Sequence, residues 1–218
     1  MIAFLGTSHA AVHLRDAAVK RGLAVAVDPH APFSPDLIFI SEDTPTDEQG
    51  NRDLAPILGY VNAMRGRGVP IVLTSQVPPG FTRSLGIKDI WHQAETLRIK
   101  DAEERALRPD YIIVGGPAER PAAYNEYLAA FRCPKIYTDW ESAEFSKIAV
   151  NMTLAAQVEN TNRLAAAAGK CGALWSDVSL ALGMDKRIGA KSYLTPGRWQ
   201  DSKHLYRDHV TLEAILAR

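Results

Sequence analysis

The sequence predicts an α/β protein, with a doubly wound parallel sheet over roughly residues 1–138 followed by a long helix and a small helical region over residues 139–218. Three observations predict it. Short apolar runs recur, each followed by a segment with helical spacing. Several of these runs are continuously apolar rather than alternating, as strands buried on both faces are. The pattern then stops at Trp140, after which Ser142–Ala168 holds no proline or glycine over 27 residues.

Taken in order, Ile2–Leu5 reads as the first strand, and His9–Arg21 as a helix stopped by Gly22. Ala24–Val27 is the next strand, ending at Asp28. Leu37–Ile40, Ile71–Leu73, Tyr111–Val114 and Lys135–Tyr137 are further strands, most of them introduced by proline or aspartate. Helical stretches fall near Asp53–Gly66, Ala102–Leu107 and Arg120–Phe131. Strands alternating with helices give the doubly wound domain. In Ser142–Ala168 the residues Ala143, Ile148, Met152, Ala155 and Leu164 form an apolar stripe along one helix of about 40 Å. A helix around Trp175–Leu182 follows, and then a polar tail.

The 218 residues include 25 Lys+Arg and 25 Asp+Glu, so the chain carries no net charge to favour nucleic acid or an anionic membrane. No apolar run reaches the roughly 18 residues of a membrane span. The N-terminus reads as a strand rather than a signal peptide, and a soluble, cytoplasmic protein is expected. Cys133 and Cys171 lie 38 positions apart without metal-type spacing, so they read as buried thiols rather than a disulfide. His9, His13, His30, His92 and His209 show no metal-binding spacing, and His92 reads as a satisfied structural histidine near the cleft. Trp91, Trp140, Trp175 and Trp199 read as core or interface residues, and Lys186-Arg187 as a solvated turn.

Gly6-Thr7-Ser8-His9-Ala10-Ala11 lies between a strand and a helix, with Asp28 22 positions beyond Gly6. In a dinucleotide turn the first glycine makes the bend, the second lets backbone approach the pyrophosphate, and the third position must be small. Gly6 and Ala11 meet two of these needs. Ser8 departs at the second, where its Cβ crowds the approach although its hydroxyl could donate to a phosphate. The helix N-terminus offers N–H groups to an anion, and Asp28 is placed to accept from ribose hydroxyls, favouring NAD over NADP. The other reading of the spacing is a plain strand-to-helix turn.

The segments D-L-I-F-I-S-E-D-T-P-T-D from Asp36, S-Q-V-P-P-G-F-T-R from Ser75, Q-A-E-T-L-R from Gln93 and A-E-F-S-K-I-A-V-N from Ala143 occur in that order. Leu182-Gly183-Met184-Asp185 with Arg187-Ile188-Gly189 follows. Together they resemble the UDP-glucose/GDP-mannose dehydrogenase family, whose members oxidise a nucleotide-sugar alcohol to a carboxylate with two NAD. The resemblance implies a Rossmann-like domain with NAD as cofactor and a homodimer built on the long helix. It also implies a sugar or nucleotide-sugar ligand, with no nucleic-acid or membrane partner. It sets Thr44, Pro45 and Thr46 beside the cofactor, with Gln76 nearby and Pro78 and Gly80 in the loop over it. It gives catalytic roles to Glu95, to Lys147 and Asn151 on the central helix, and to Asp208. Positions i and i+4 share a helix face, and an ammonium beside an amide can hold a water or stabilise an oxyanion. Without the resemblance, Lys147 and Asn151 read as a solvated helix face.

The family's second oxidation needs a cysteine thiolate that captures the aldehyde. Thr195–Asp208 contains none: counting from Pro196-Gly197 puts Ser202 at its place, and counting back from Arg207-Asp208 puts His204 there. Gln76 stands where threonine is usual and Ile99 where glutamate is usual, and Trp199 and Gln200 replace glycines. Only eight positions separate Asp28 from Asp36. No counterpart of the family's C-terminal nucleotide-binding domain is expected in this chain. Three readings follow: a dehydrogenase limited to one hydride transfer, a non-catalytic binding relative acting as sensor or subunit, and a structural dimerisation partner.

Overall fold

The computed structural model describes residues 1–26 and 35–217. Asp28 and His30, and the end of the strand expected over Ala24–Val27, lie outside the described residues. The chain divides into two compact units, one formed by Met1–Pro45 with Arg52–Lys147 and the other by Thr46–Asn51 with Ile148–Arg218.

The first unit is a six-stranded sheet, β1 (Ile2–Leu5), β2 (Leu37–Ile40), β3 (Ile71–Leu73), β4 (Ile90–Gln93), β5 (Ile112–Gly115) and β6 (Lys135–Thr138), in that spatial order. Its helices are α1 (His9–Lys20), α2 (Ala55–Met64), α3 (Phe81–Ser84), α4 (Ala102–Leu107) and α5 (Ala122–Ala129). β1, β2, β3 and β4 run parallel, with Ile2 opposite Leu37 and Ile71 opposite Ile90. On the far side of β1, Val25 forms a parallel bridge to Ile2, so among the described residues the strand expected there is marked by one bridged residue. β1 therefore lies between the Val25 segment and β2, and the chain reverses its direction of winding at β1. In open α/β sheets such a switch point, at the carboxyl ends of the strands, is where ligands bind.

Successive side chains point to opposite faces of a strand, and both faces of this sheet are apolar. Phe4, Phe39, Val72, Trp91 and Val114 pack with Leu14 of α1 and Tyr124 and Tyr127 of α5. Leu5, Ile38, Ile40, Leu73 and Ile90 pack with Ile57 and Val61 of α2 on the other face. Phe39 stacks on Phe4 at 4.9 Å between ring centroids and meets Tyr127 at 4.5 Å. Each fully buried large side chain of this kind stabilises the fold by about 1.5–3 kcal/mol. α1 ends where Gly22, at φ 78°, turns left-handed and Leu23 N–H donates to Ala18 O at 3.1 Å, a helix stop that favours glycine.

The sheet departs from the expected all-parallel order at one place, since β5 runs antiparallel to β4 with His92 opposite Gly115. β4 itself escaped the sequence pattern, because Trp91, His92 and Gln93 do not form an apolar run although all are buried.

The long helix α6 spans Trp140–Lys170, 31 residues. Its first eight residues belong to the first unit and the remainder to the second. In the second unit α6 is followed by α7 (Trp175–Met184) and α8 (Lys203–Leu216). The expected polar tail is thus a 14-residue helix. The segment before α8 is strapped to α6 by side chains: Asn162 exchanges two hydrogen bonds with the Gly197 backbone, and Trp199 Nε1 donates to Glu159 at 2.9 Å. Trp91 and Trp199 are buried as expected. The thiols are not, since Cys133 is half-buried and Cys171 exposed. Among the described residues no helix is long and apolar enough to cross a membrane.

Candidate functional site

In the first unit, candidate residues sit at the carboxyl ends of β1, β2 and β3. Gly6 has φ 115°, and a Cβ built there would lie 2.1 Å from the Ser41 carbonyl oxygen. Both facts exclude other residues, because β1 and β2 approach too closely and the backbone is left-handed. Ser8 is the N-cap of α1: its Oγ accepts from Ala11 N–H at 3.1 Å and donates to Ser41 O at 2.7 Å. A hydroxyl has one proton, so the expected donation from Ser8 to a phosphate is replaced by a bond inside the protein. Ala11 is buried and lets α1 pack on the sheet.

Beside the turn stands a residue that sequence reasoning missed. Glu42, just after β2, accepts from Thr7 N–H at 2.8 Å and from Asp43 N–H at 2.9 Å. Thr44 is buried, and its hydroxyl donates toward Gln76 O at 3.4 Å. Arg52 donates to the same oxygen at 3.1 Å, and Pro45 O accepts from Asp53 N–H at 2.7 Å. Thr44, Pro45 and Gln76 thus share one bonded rim, whereas Thr46 falls in the second unit. The rim offers a dinucleotide the backbone shape it needs: the glycine bend, a helix start and the switch point. The Glu42 carboxylate, bonded to the Thr7 amide, opposes an anion at the turn.

Farther along the same unit, Glu95 lines a cavity with Gln93, Thr96, Arg105 and Tyr111, and its carboxylate accepts from Leu97 N–H. Lys147 is half-buried on α6. One turn earlier, Glu144 is 1% exposed, and its two oxygens accept from Gly80 N–H at 2.6 Å and Thr82 N–H at 2.8 Å. This carboxylate therefore holds the Pro78–Gly80 loop at the start of α3. Burial pushes its pKa up, against the pull of those hydrogen bonds. His92 is 2% exposed, and burial pushes its pKa down to about 3. Its Nδ1 has no hydrogen-bond partner among the described residues, so it is not the satisfied histidine expected. The Nε2 atoms of His9 and His13 meet at 3.0 Å across one turn of α1. Among the described residues no group of three metal-binding side chains forms.

The second unit holds a separate cluster. Asn151 Nδ2 donates to Asp208 Oδ2 at 2.6 Å, and both residues are buried. Asn151 is therefore not on a solvated face, and its amide is engaged by the carboxylate. Arg207, 3% exposed, lies 3.9 Å from Asp208, and its Nη2 is 3.2 Å from His204 Nδ1. Helical spacing in α8 puts His204, Arg207 and Asp208 on adjoining positions of one face. Glu144 was missed as a site candidate because its partners Gly80 and Thr82 are distant in sequence, and Arg207, whose neighbours His204 and Asp208 are close, because a charged pair on a helix reads as solvated. The helix that carries Arg207 had a signal: no glycine or proline follows Gly197, and Ser202 is a good N-cap residue type.

A glycine bend at the switch point of a parallel sheet, followed by a long helix and a helical unit, defines the fold of the nucleotide-sugar dehydrogenases. Sequence and structure comparisons agree. Residues 141–216 match the central domain of the UDP-glucose/GDP-mannose dehydrogenase family. The chain is 32% identical over 206 residues to UDP-glucose 6-dehydrogenase of Caenorhabditis elegans, covering 80% of this chain and 42% of that protein. It is 31% identical over 179 residues to UDP-glucose 6-dehydrogenase TuaD of Bacillus subtilis, covering 75% and 39%. It spans about two-fifths of the length of these curated relatives. The fold matches a UDP-glucose dehydrogenase from Pyrobaculum islandicum with TM-score 0.74 at 23% identity, over 97% of this chain and 67% of that one. It also matches a UDP-D-ManNAc dehydrogenase from Pyrococcus horikoshii with TM-score 0.76 at 14% identity, over 100% and 70%. The chain is related to the UDP-glucose/GDP-mannose dehydrogenase family.

Proposed function

We propose that the chain binds NAD at the Gly6 turn and performs at most one hydride transfer, from the alcohol of a sugar or nucleotide sugar. The observation that carries the reading is the glycine bend, sterically obligatory at Gly6 and set at the switch point of a fold shared with nucleotide-sugar dehydrogenases. Gly6, Ser8 and Ala11 would shape the turn, Asp28 would accept from a ribose, and Thr44, Pro45 and Gln76 would border the nicotinamide end. NAD supplies the hydride acceptor when bound. Lys147, directly or through a water, takes the proton of the substrate hydroxyl as its C–H bond breaks. Glu95, in the same unit as Lys147, would border the reacting sugar. Residues 1–138 would carry the cofactor and residues 139–218 the homodimer contact, in a cytoplasmic protein.

The sequence stretch preceding Asp208 has no thiol to retain an aldehyde, so the reaction stops there. The test is NADH formation across a panel of sugar nucleotides and simple sugars. The reading expects an aldehyde product and loss of turnover in Lys147→Ala. No turnover together with stabilisation by NAD would identify a binding relative instead. A stoichiometric uronic acid would contradict the argument from the missing cysteine.

A further inference from the structure

We infer that Glu42 is an internal anion that occupies the amide of the Gly6 turn and weakens the binding of a dinucleotide pyrophosphate there. The inference rests on the proposed NAD site and adds a residue that governs its affinity. Glu42 is held in place from behind, where its own N–H donates to Ser75 Oγ at 2.9 Å and the preceding Ser41 N–H donates to Leu5 O at 2.9 Å. Its side chain is thereby presented to the turn. Oε2 accepts from Thr7 N–H at 2.8 Å and lies 3.2 Å from Thr7 Oγ1, while Oε1 accepts from Asp43 N–H at 2.9 Å.

A backbone N–H and a hydroxyl of the strand-to-helix bend, joined by a further backbone N–H, are donors of the kind a phosphate takes at such turns. Here a carboxylate already has them. These donors are neutral, so the negative charge stays at the turn. Asp43 adds a second carboxylate at the next position, its Oδ1 accepting from Thr44 N–H at 2.8 Å. A pyrophosphate must displace Glu42 from Thr7 and then lie within a few ångströms of a like charge. At an effective dielectric constant near 20, a repulsion at about 4 Å lowers affinity by up to about 1,000-fold, and one at about 6–12 Å, with the carboxylate swung aside, by about 10- to 100-fold. The penalty shrinks as salt rises, because the Debye length falls to about 3 Å at 1 M.

The experiment is calorimetric titration of NAD into the wild-type chain, Glu42→Gln and Glu42→Ser at low and high salt. In parallel, the Thr7 amide resonance is followed by NMR. Glu42→Gln keeps the size and loses the charge; Glu42→Ser removes the carboxylate should glutamine retain the bond to Thr7. The expected result is at least a roughly tenfold gain in affinity in one variant, narrowing at high salt, with the Thr7 resonance moved before any ligand is added. Equal affinities in all three proteins would overturn the inference and leave the NAD site standing. Weaker binding in both variants would also overturn it, making Glu42 a ligand contact. Absence of NAD binding in all three would overturn both the inference and the site.

Discussion

The turn at the end of β1 and the cluster on α8 solve opposite problems. At the turn the polar groups are backbone amides and carbonyls, the bend depends on a residue with no side chain, and the Glu42 carboxylate is half-exposed. On α8 they are side chains, with Asp208 0% exposed and satisfied by Asn151. A site made from backbone keeps its shape whatever its charge, so one nearby residue can reset what it binds. A site made from buried charges depends on every partner. The turn is thus adjustable by single substitutions, and the α8 cluster is not.

The largest effect expected from breaking this contrast is at Asp208. Replacing it by alanine leaves Arg207 and Asn151 buried beside a hole, and breaking a buried pair costs about 3–5 kcal/mol. Chemical denaturation should show that loss, and Asp208→Asn should recover part of it. Gly6→Ala comes next, because its Cβ would collide with Ser41 O at 2.1 Å in a left-handed backbone. A loss of about 2–4 kcal/mol is expected in the same measurement. Glu144→Ala strands the Gly80 and Thr82 amides and should cost about 2 kcal/mol, with faster hydrogen exchange in residues 78–84.

Two effects of pH sharpen the comparison further. Burial raises the Glu144 pKa above its unfolded value near 4.5. Its contribution is therefore full below that pH and declines as pH rises through the folded value, and Glu144→Gln should remove this decline. His92 is shifted the other way, from 6.5 to about 3. Its contribution is present above pH 6.5 and lost as pH falls toward about 3, so His92→Phe should flatten that part of the stability curve. The smallest effect belongs to the exposed Arg83–Glu141 pair, joined at 2.9 Å. Arg83→Ala should change the melting temperature little, as exposed pairs do.

Much of the sheet was legible because its strands are apolar on both faces: β2, β3 and the short helix α4 lie where the pattern places them. β4 was not, because His92 and Gln93 are polar side chains buried by tertiary packing, Gln93 accepting from Tyr124 at 3.1 Å. The antiparallel direction of β5 is a matter of chain return that periodicity does not encode. The turn was legible in Gly6 and Ala11, whose constraints are local. Glu42 and Glu144 were not, since their partners lie 35 and 62–64 residues away. α8 hides its character because its buried positions are Arg207 and Asp208, which read as solvated until a neighbour pairs with them.

The central claim is that the Gly6 turn receives a pyridine dinucleotide. Titrating NAD into isotope-labelled protein while following backbone amide resonances tests it residue by residue. The account predicts shifts concentrated in residues 6–11 and 41–44, saturating together with a single dissociation constant. Unmoved resonances in those two segments at millimolar NAD would contradict it.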